Sequence, residues 1–138
     1  MAALLLSAEL WIAGGRLFDA HGTRPAALAI VAGRIAGEAP KPPAGAKTVE
    51  ASGLLLLPAF VDAHVHLSVA GKVPDVAAAE LRGGVAAVLD LGEPERTLPL
   101  DAPPLRVRFA GPLLTAPRGY PTQSWGANGY GQDRKSVV

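Results

Sequence analysis

Two histidines one residue apart, His64 and His66, close the stretch GLLLLPAFVDAHVHL at residues 53–67. Side chains alternate along an extended strand, so Asp62, His64 and His66 are expected on one face and Val61, Ala63 and Val65 on the other. At a rise of roughly 3.3 Å per residue, the imidazoles stand about 7 Å apart at Cα, close enough to ligate one divalent ion through ring nitrogens. A bare His-x-His also fits two partly buried histidines hydrogen-bonded near a strand end.

Strands and helices on either side must place this pair. From Leu10 to about Leu57 the chain reads as short strands, LWIAGGRLFDA, AALAIVAGRIAGEA and KTVEASGLLLLP, with Gly14-Gly15, His21-Gly22 and Ala32-Gly33 where tight turns are needed. This predicts a small antiparallel β unit. The Pro- and Gly-rich segment EAPKPPAGAK, residues 38–47, predicts an exposed connection, and no internal repeat is present. After Leu57 strand and helix alternate: strand AFVDAHVHL, helix PDVAAAELRGG, strand VAAVLDLG, irregular EPERTLPLDAPP and strand LRVRFAG. Asp75 is the expected N-cap of that helix and Gly83-Gly84 its end. Alternation of this kind implies parallel strands joined by crossovers. The stretch PLLTAPRGYPTQSWGANGYG lacks periodicity and reads as a long loop.

Composition excludes several function classes. With 138 residues the chain is long enough for one ordinary domain. About half of it is apolar (49%) and 18% is charged, which argues against disorder. A formal charge of +1 with scattered arginines offers no face for nucleic acid. The absence of cysteine removes disulfides and thiolate sites, leaves His, carboxylate or Lys-derived oxygen as metal donors, and is compatible with a cytoplasmic location. MAALLLSAELWIAGG lacks the basic start of a signal peptide, and Leu54–Val61, interrupted by Pro58, is too short to span a membrane.

The string GLLLLPAFVDAHVHL resembles the signature of the metal-dependent amidohydrolase superfamily, a Gly-x-x-x-x-Pro-Gly lead into Asp-x-His-x-His on the first strand of a TIM barrel. The likeness extends over roughly residues 8–131. AAAELRGGVAAVLDLG looks like the family's first helix and second strand, and GYPTQSWGANGYG is similar to a loop of its imidazolonepropionase-like and dipeptidase-like branches. Ala59 departs from the pattern, which has Gly there; either no positive φ is required or the turn is strained. The resemblance implies that His64 and His66 are metal ligands, with one or two divalent ions, Zn²⁺ foremost, activating a water for hydrolysis of C–N bonds in small amide or lactam-type substrates. A later aspartate would serve as base.

Asp62 is expected to act from behind the ligands, holding an imidazole tautomer or anchoring the strand, with direct ligation the alternative. Tyr120, Gln123, Ser124, Trp125 and Asn128 are candidates for a substrate loop, the alternative being an ordinary structured loop. Asp90 ends the second parallel strand and is expected to cap a helix or brace a loop, or else to touch the site. His21 reads as a solvated turn histidine.

A barrel of eight βα units takes about 250 residues, and only about 80 follow Ala59. The expected fold is therefore α/β: a small N-terminal β-sandwich-like unit (1–57), then the opening part of an incomplete barrel (58–132) with an open edge and an uncovered apolar face. Residues 133–138 back-translate as GAT CGG AAG AGC GTC GTG, which resembles a sequencing adapter. They are expected to be a foreign tail, a natural polar terminus being the alternative. The chain thus reads as the N-terminal part of a cytoplasmic amidohydrolase, inactive by itself, without nucleic-acid or membrane partners and with a homo-oligomeric parent left open. Alternatives are a non-catalytic α/β binding or interaction module with structural histidines, or a deaminase or phosphotriesterase-like hydrolase.

Overall fold

The structure, a computed structural model, describes residues 8–133. They fold as two compact units with the boundary between Pro58 and Ala59.

In the first unit, strands β1 (Leu10–Ala13), β4 (Ala27–Val31), β5 (Arg34–Ala39) and β6 (Thr48–Glu50) form a sheet in the order β5-β4-β1-β6. A second sheet has the order β3-β2-β7, from β2 (Arg16–Asp19), β3 (Gly22–Pro25) and β7 (Leu55–Leu56). Period-2 patterning explains the β1 side of the core: Trp11 and Ala13 are buried with Ala27 and Ala29 of β4, while the alternate residues Leu10 and Ile12 are less so. Arg24 bridges Asp19 Oδ2 at 2.6 Å and Glu38 Oε2 at 2.9 Å. The unit is not purely antiparallel as expected. The tight turns give the antiparallel pairs β2/β3 and β4/β5, but β6 and β7 run parallel to β1 and β2. Both follow connections that are not hairpin turns, so nothing forces them to reverse direction beside their partners.

The second unit carries the expected parallel sheet, with β8 (Phe60–Val65), β9 (Val85–Asp90) and β10 (Arg106–Phe109) in the order β10-β9-β8. A short helix α1 (Leu67–Ala70), which periodicity did not suggest, follows β8, and helix α2 (Val73–Arg82) makes the crossover to β9. Lys72, not Asp75, holds the N-cap position of α2, because Pro74 is tolerated in the first turn and lets the helix begin earlier. Asp75 sits inside that turn, where its charge suits the helix dipole. Gly83 and Gly84 do end the helix, with Gly84 at φ 87°, a conformation costly for residues with a Cβ. From β9 to β10 the chain crosses through an irregular segment with one 3₁₀ turn (Glu95–Thr97). The stretch expected to be one loop contains a parallel pair, β11 (Leu113–Thr115) with β12 (Gly131–Asp133), and a 3₁₀ turn at Trp125–Asn128. Asp133 thus ends β12; residues 134–138, the rest of the expected foreign tail, lie outside the described residues.

Leu67, Ala77, Val88, Ala102 and Leu105 form the core of this unit, with Val65, Val76, Leu81 and Val107 packed against it. The sheet also lines a groove of about 790 Å³ that includes Val61, Ala63, Ala87 and Leu89, and Val61 is 70% exposed. No helix among the described residues is long and apolar enough to cross a membrane.

Leu67 is fully buried at the centre of the core. Leu67→Ala should lower unfolding free energy by about 2–5 kcal/mol, read from urea denaturation; a loss well under 1 kcal/mol would contradict this packing.

Candidate functional site

The end of β8 departs from regular alternation. Asp62 pairs with Val88 and Val65 with Asp90, so three steps on β8 match two on β9 and one residue of β8 is extra. Paired neighbours share a face of the sheet, so Asp62 and Val65 both lie on the side of buried Val88 and Asp90. The expectation that Asp62 shares the face of His64 and His66 is therefore corrected. The cause is local: Asp62 Oδ1 accepts the backbone N–H of His64 at 2.9 Å, drawing that donor away from the ladder. Val65 packs inward, and the imidazoles on either side of it meet edge to face, with ring centroids 5.4 Å apart. His64 is exposed and His66 half-buried.

His66 occupies the N-cap position of α1 without a capping bond from its own side chain. Two buried carboxylates supply the missing acceptors. Asp90 Oδ2 accepts the Leu67 N–H at 2.7 Å and Glu93 Oε1 the Ser68 N–H at 3.0 Å. Asp90 Oδ1 also accepts the Gly92 N–H at 2.9 Å, so it both caps the helix and braces the loop. Glu93 Oε2 takes hydrogen bonds from the Ser68 hydroxyl at 2.8 Å and the Thr97 hydroxyl at 3.0 Å, and Ser68 Oγ lies 2.7 Å from the Tyr130 hydroxyl. Burial pushes the Asp90 carboxyl above its ordinary value of 3.8; the N–H groups of Gly92 and Leu67 oppose this, and the charge of Glu93 and a hydrogen bond with it add to the rise.

Gly92 leans on the His66 ring. A Cβ there would lie 2.8 Å from His66 Nδ1 and 2.7 Å from Leu113 Cδ1, so only glycine lets the loop come this close. The Trp125 ring also lies 5.5 Å from that of His66, and Tyr120 and Tyr130 stand 6.3 and 6.1 Å from Trp125. Trp125 Nε1–H donates to the Tyr120 hydroxyl at 2.6 Å. Of the five loop candidates, Trp125 is thus placed on His66 and Tyr120 behind it. Ser124 turns its hydroxyl to the Pro121 carbonyl, Asn128 offers its backbone carbonyl to Arg96, and Gln123 is exposed.

As a cation site the arrangement is partial. Two imidazoles converge, and among the described residues His66 Nδ1 is the only buried side-chain polar atom without a hydrogen-bond partner, an unmet group that typically costs about 1–3 kcal/mol. No group of three or more His, Cys, Asp or Glu residues able to hold a metal occurs among the described residues. The donors present therefore fit a cation but do not complete its shell.

No family profile matches the chain. It is similar to the allantoinase of Streptomyces avermitilis, 34% identical over 99 residues that make up 66% of this chain and 22% of that protein. It is also similar to the dihydroorotase of Geotalea daltonii, 41% identical over 63 residues, 43% of this chain and 15% of the relative. Among solved structures, molinate hydrolase superposes with a TM-score of 0.59 at 25% identity, over 78% of this chain and 30% of that one. The chain belongs to the amidohydrolase superfamily. It spans 15–22% of the length of the curated relatives it matches.

This amidohydrolase chain departs from its family's lead-in at Ala59, and the departure carries no backbone strain: Ala32 and Arg118 are the non-glycine residues with positive φ among the described residues. Glu93, Ser68, Tyr130 and Gly92 were not singled out from sequence. The run DLGEP did carry a signal, since two carboxylates at a strand end before a proline could cap a neighbour, but their burial could not be read from it. His21 lies exposed in a turn, its N–H bonded to Asp19 Oδ1.

Gly92→Ala should displace the His66 ring and cost about 1–3 kcal/mol, as overpacking does, seen in Trp125 fluorescence and urea denaturation; an unchanged spectrum and stability would contradict the close approach. Because the folded-state pKa of Asp90 is raised, the native state holds its proton longer than the unfolded chain, and this group's contribution to stability is lost as pH rises from 3.8 through the raised value. Glu93→Gln should lower the Asp90 pKa and flatten that dependence, measured by carboxyl NMR titration; an unchanged titration would show that Glu93 has no part in it.

Proposed function

We propose that the parent of this chain is a hydrolase of C–N bonds in small amide or lactam-type substrates, with His64 and His66 among the ligands of a divalent metal. The observation that carries this is the convergence of two imidazoles at the C-terminal end of a parallel strand, in a chain whose curated relatives are an allantoinase and a dihydroorotase. The C-terminal ends of parallel strands are where α/β enzymes gather their reacting groups. In this reading β8–β10 open a TIM barrel, the first unit is part of a β-sandwich, and the parent is a cytoplasmic enzyme. Zn²⁺, in one or two copies, is the metal that suits imidazole donors without thiolates.

When bound, such an ion lowers the pKa of a coordinated water and polarises a substrate carbonyl. The residues of this chain would do the rest of the positioning. His64 and His66 would hold the ion through ring nitrogens, Asp62 would fix the bulge that presents His64, and Gly92 and Trp125 would keep the His66 ring in place. Trp125 and Tyr120 would wall one side of the substrate space; Gln123, Ser124 and Asn128 would stand further along the same loop. Remaining ligands and the general base would come from outside residues 8–133, so this chain alone would not turn over substrate.

In the full-length parent, His64→Ala with His66→Ala should abolish hydrolysis and stoichiometric divalent metal while far-UV circular dichroism stays near wild type. Near wild-type turnover in the double variant would overturn the ligand assignment, and wholesale unfolding would favour histidines that only support the fold.

A further inference from the structure

We propose that Glu93 is a positioning residue for His66, acting through the Ser68 amide and hydroxyl; as a statement about a ligand it rests on the function proposed above. Helix α1 is four residues long, too short to hold its own first turn, and His66 at its head offers no side-chain cap. The two amides that follow His66 are instead gripped from β9 and its loop, Leu67 by Asp90 and Ser68 by Glu93. The same five-residue run supplies Gly92, which touches the imidazole ring.

A second set of contacts also reaches the ring. Glu93 Oε2 holds the Ser68 hydroxyl, which meets Tyr130; Tyr130 lies against Trp125, and Trp125 against His66. Glu93 therefore lies where the backbone after His66 and the aromatic loop over its ring are tied together. Asp90 and Glu93 are both fully buried, and neither takes part in an ion pair among the described residues. An uncompensated pair of buried acids is an expensive way to secure one turn, and it is found here beside His66, whose Nδ1 is buried without a hydrogen-bond partner.

Positioning and electrostatic roles predict opposite orders for two conservative variants. Glu93→Gln loses the charge but reaches Ser68: its carbonyl can accept the amide, and its NH₂ can donate to the hydroxyl, which then donates to Tyr130. Glu93→Asp keeps the charge but is one methylene too short. The test uses the 138-residue chain, with Zn²⁺ affinity measured by competition against a chromogenic chelator and the metal-free His66 ring followed by ¹H–¹⁵N NMR. Positioning predicts that Glu93→Asp and Glu93→Ala weaken Zn²⁺ binding by about ten- to a hundred-fold and shift or average the His66 ring signals. Glu93→Gln should stay within about threefold of wild type with its ring signals in place. Ring signals unchanged in Glu93→Asp, or Gln weaker than Asp, would overturn the proposal. If two imidazoles alone hold no measurable Zn²⁺ in the wild-type chain, the ligand reading is decided by the double histidine variant of the full-length parent, and the ring spectra of Asp and Gln decide the positioning role. Should Glu93→Ala not fold, the Asp and Gln pair carries the same comparison.

Discussion

Two backbone N–H groups at the head of a one-turn helix have no partner within their own segment, and the second unit is arranged around supplying one to each. Leu67 and Ser68 follow directly after β8, where the chain must leave the sheet yet keep His66 at its edge. Asp90 and Glu93 satisfy those amides from the neighbouring strand end. Sheet register, helix start and imidazole placement are thereby coupled: the bulge after Asp62 brings Val65 opposite Asp90, and that pairing brings the Asp90 carboxylate to Leu67. Leu67, held by that bond, is also the fully buried centre of the hydrophobic core.

The arrangement has a cost that points to its use. Placing Asp90 and Glu93 together out of water raises the Asp90 pKa, and no cation among the described residues offsets them. Neutral caps are common and would serve a helix of ordinary purpose. Carboxylates accept stronger hydrogen bonds than neutral acceptors, and Glu93 accepts two from Ser68 in the turn and one from Thr97 in its own loop. Firm placement matters most where a side chain must meet a ligand at fixed geometry.

The first unit stands on different physics. Its core is small, built from Trp11 and three alanines, and its polar face is tied by Arg24 to two acids. Phe18, Ile35, Leu55 and Leu57 remain substantially exposed. In the second unit the sheet leaves Val61 and Phe60 open in the same way. Both units thus present large apolar side chains to the surface, in a stretch that matches 15–22% of its curated relatives' length.

Local pattern alone determined the strand order in time, short strands first, then strand, helix, strand, and the end of α2 at a glycine pair, whereas its start lies at Lys72 and not at Asp75. It also marked His64 and His66 as a pair at a strand end, because two residues of one type at period 2 are visible without a fold. It could not show which way they face, since a bulge after Asp62, where the His64 amide donates to the Asp62 carboxylate, adds a residue and cancels the alternation on which that inference rests. Nor could it show that β6 and β7 run parallel to β1 and β2, because strand direction is set by the route of the connection. The roles of Glu93, Ser68, Tyr130 and Gly92 were decided by tertiary structure: Ser68 and Tyr130 are 62 residues apart in the chain, and a 2.7 Å contact between them exists only once the core has closed. Periodicity records how a segment meets water and core, whereas a hydrogen bond between distant residues depends on where every segment between them has gone.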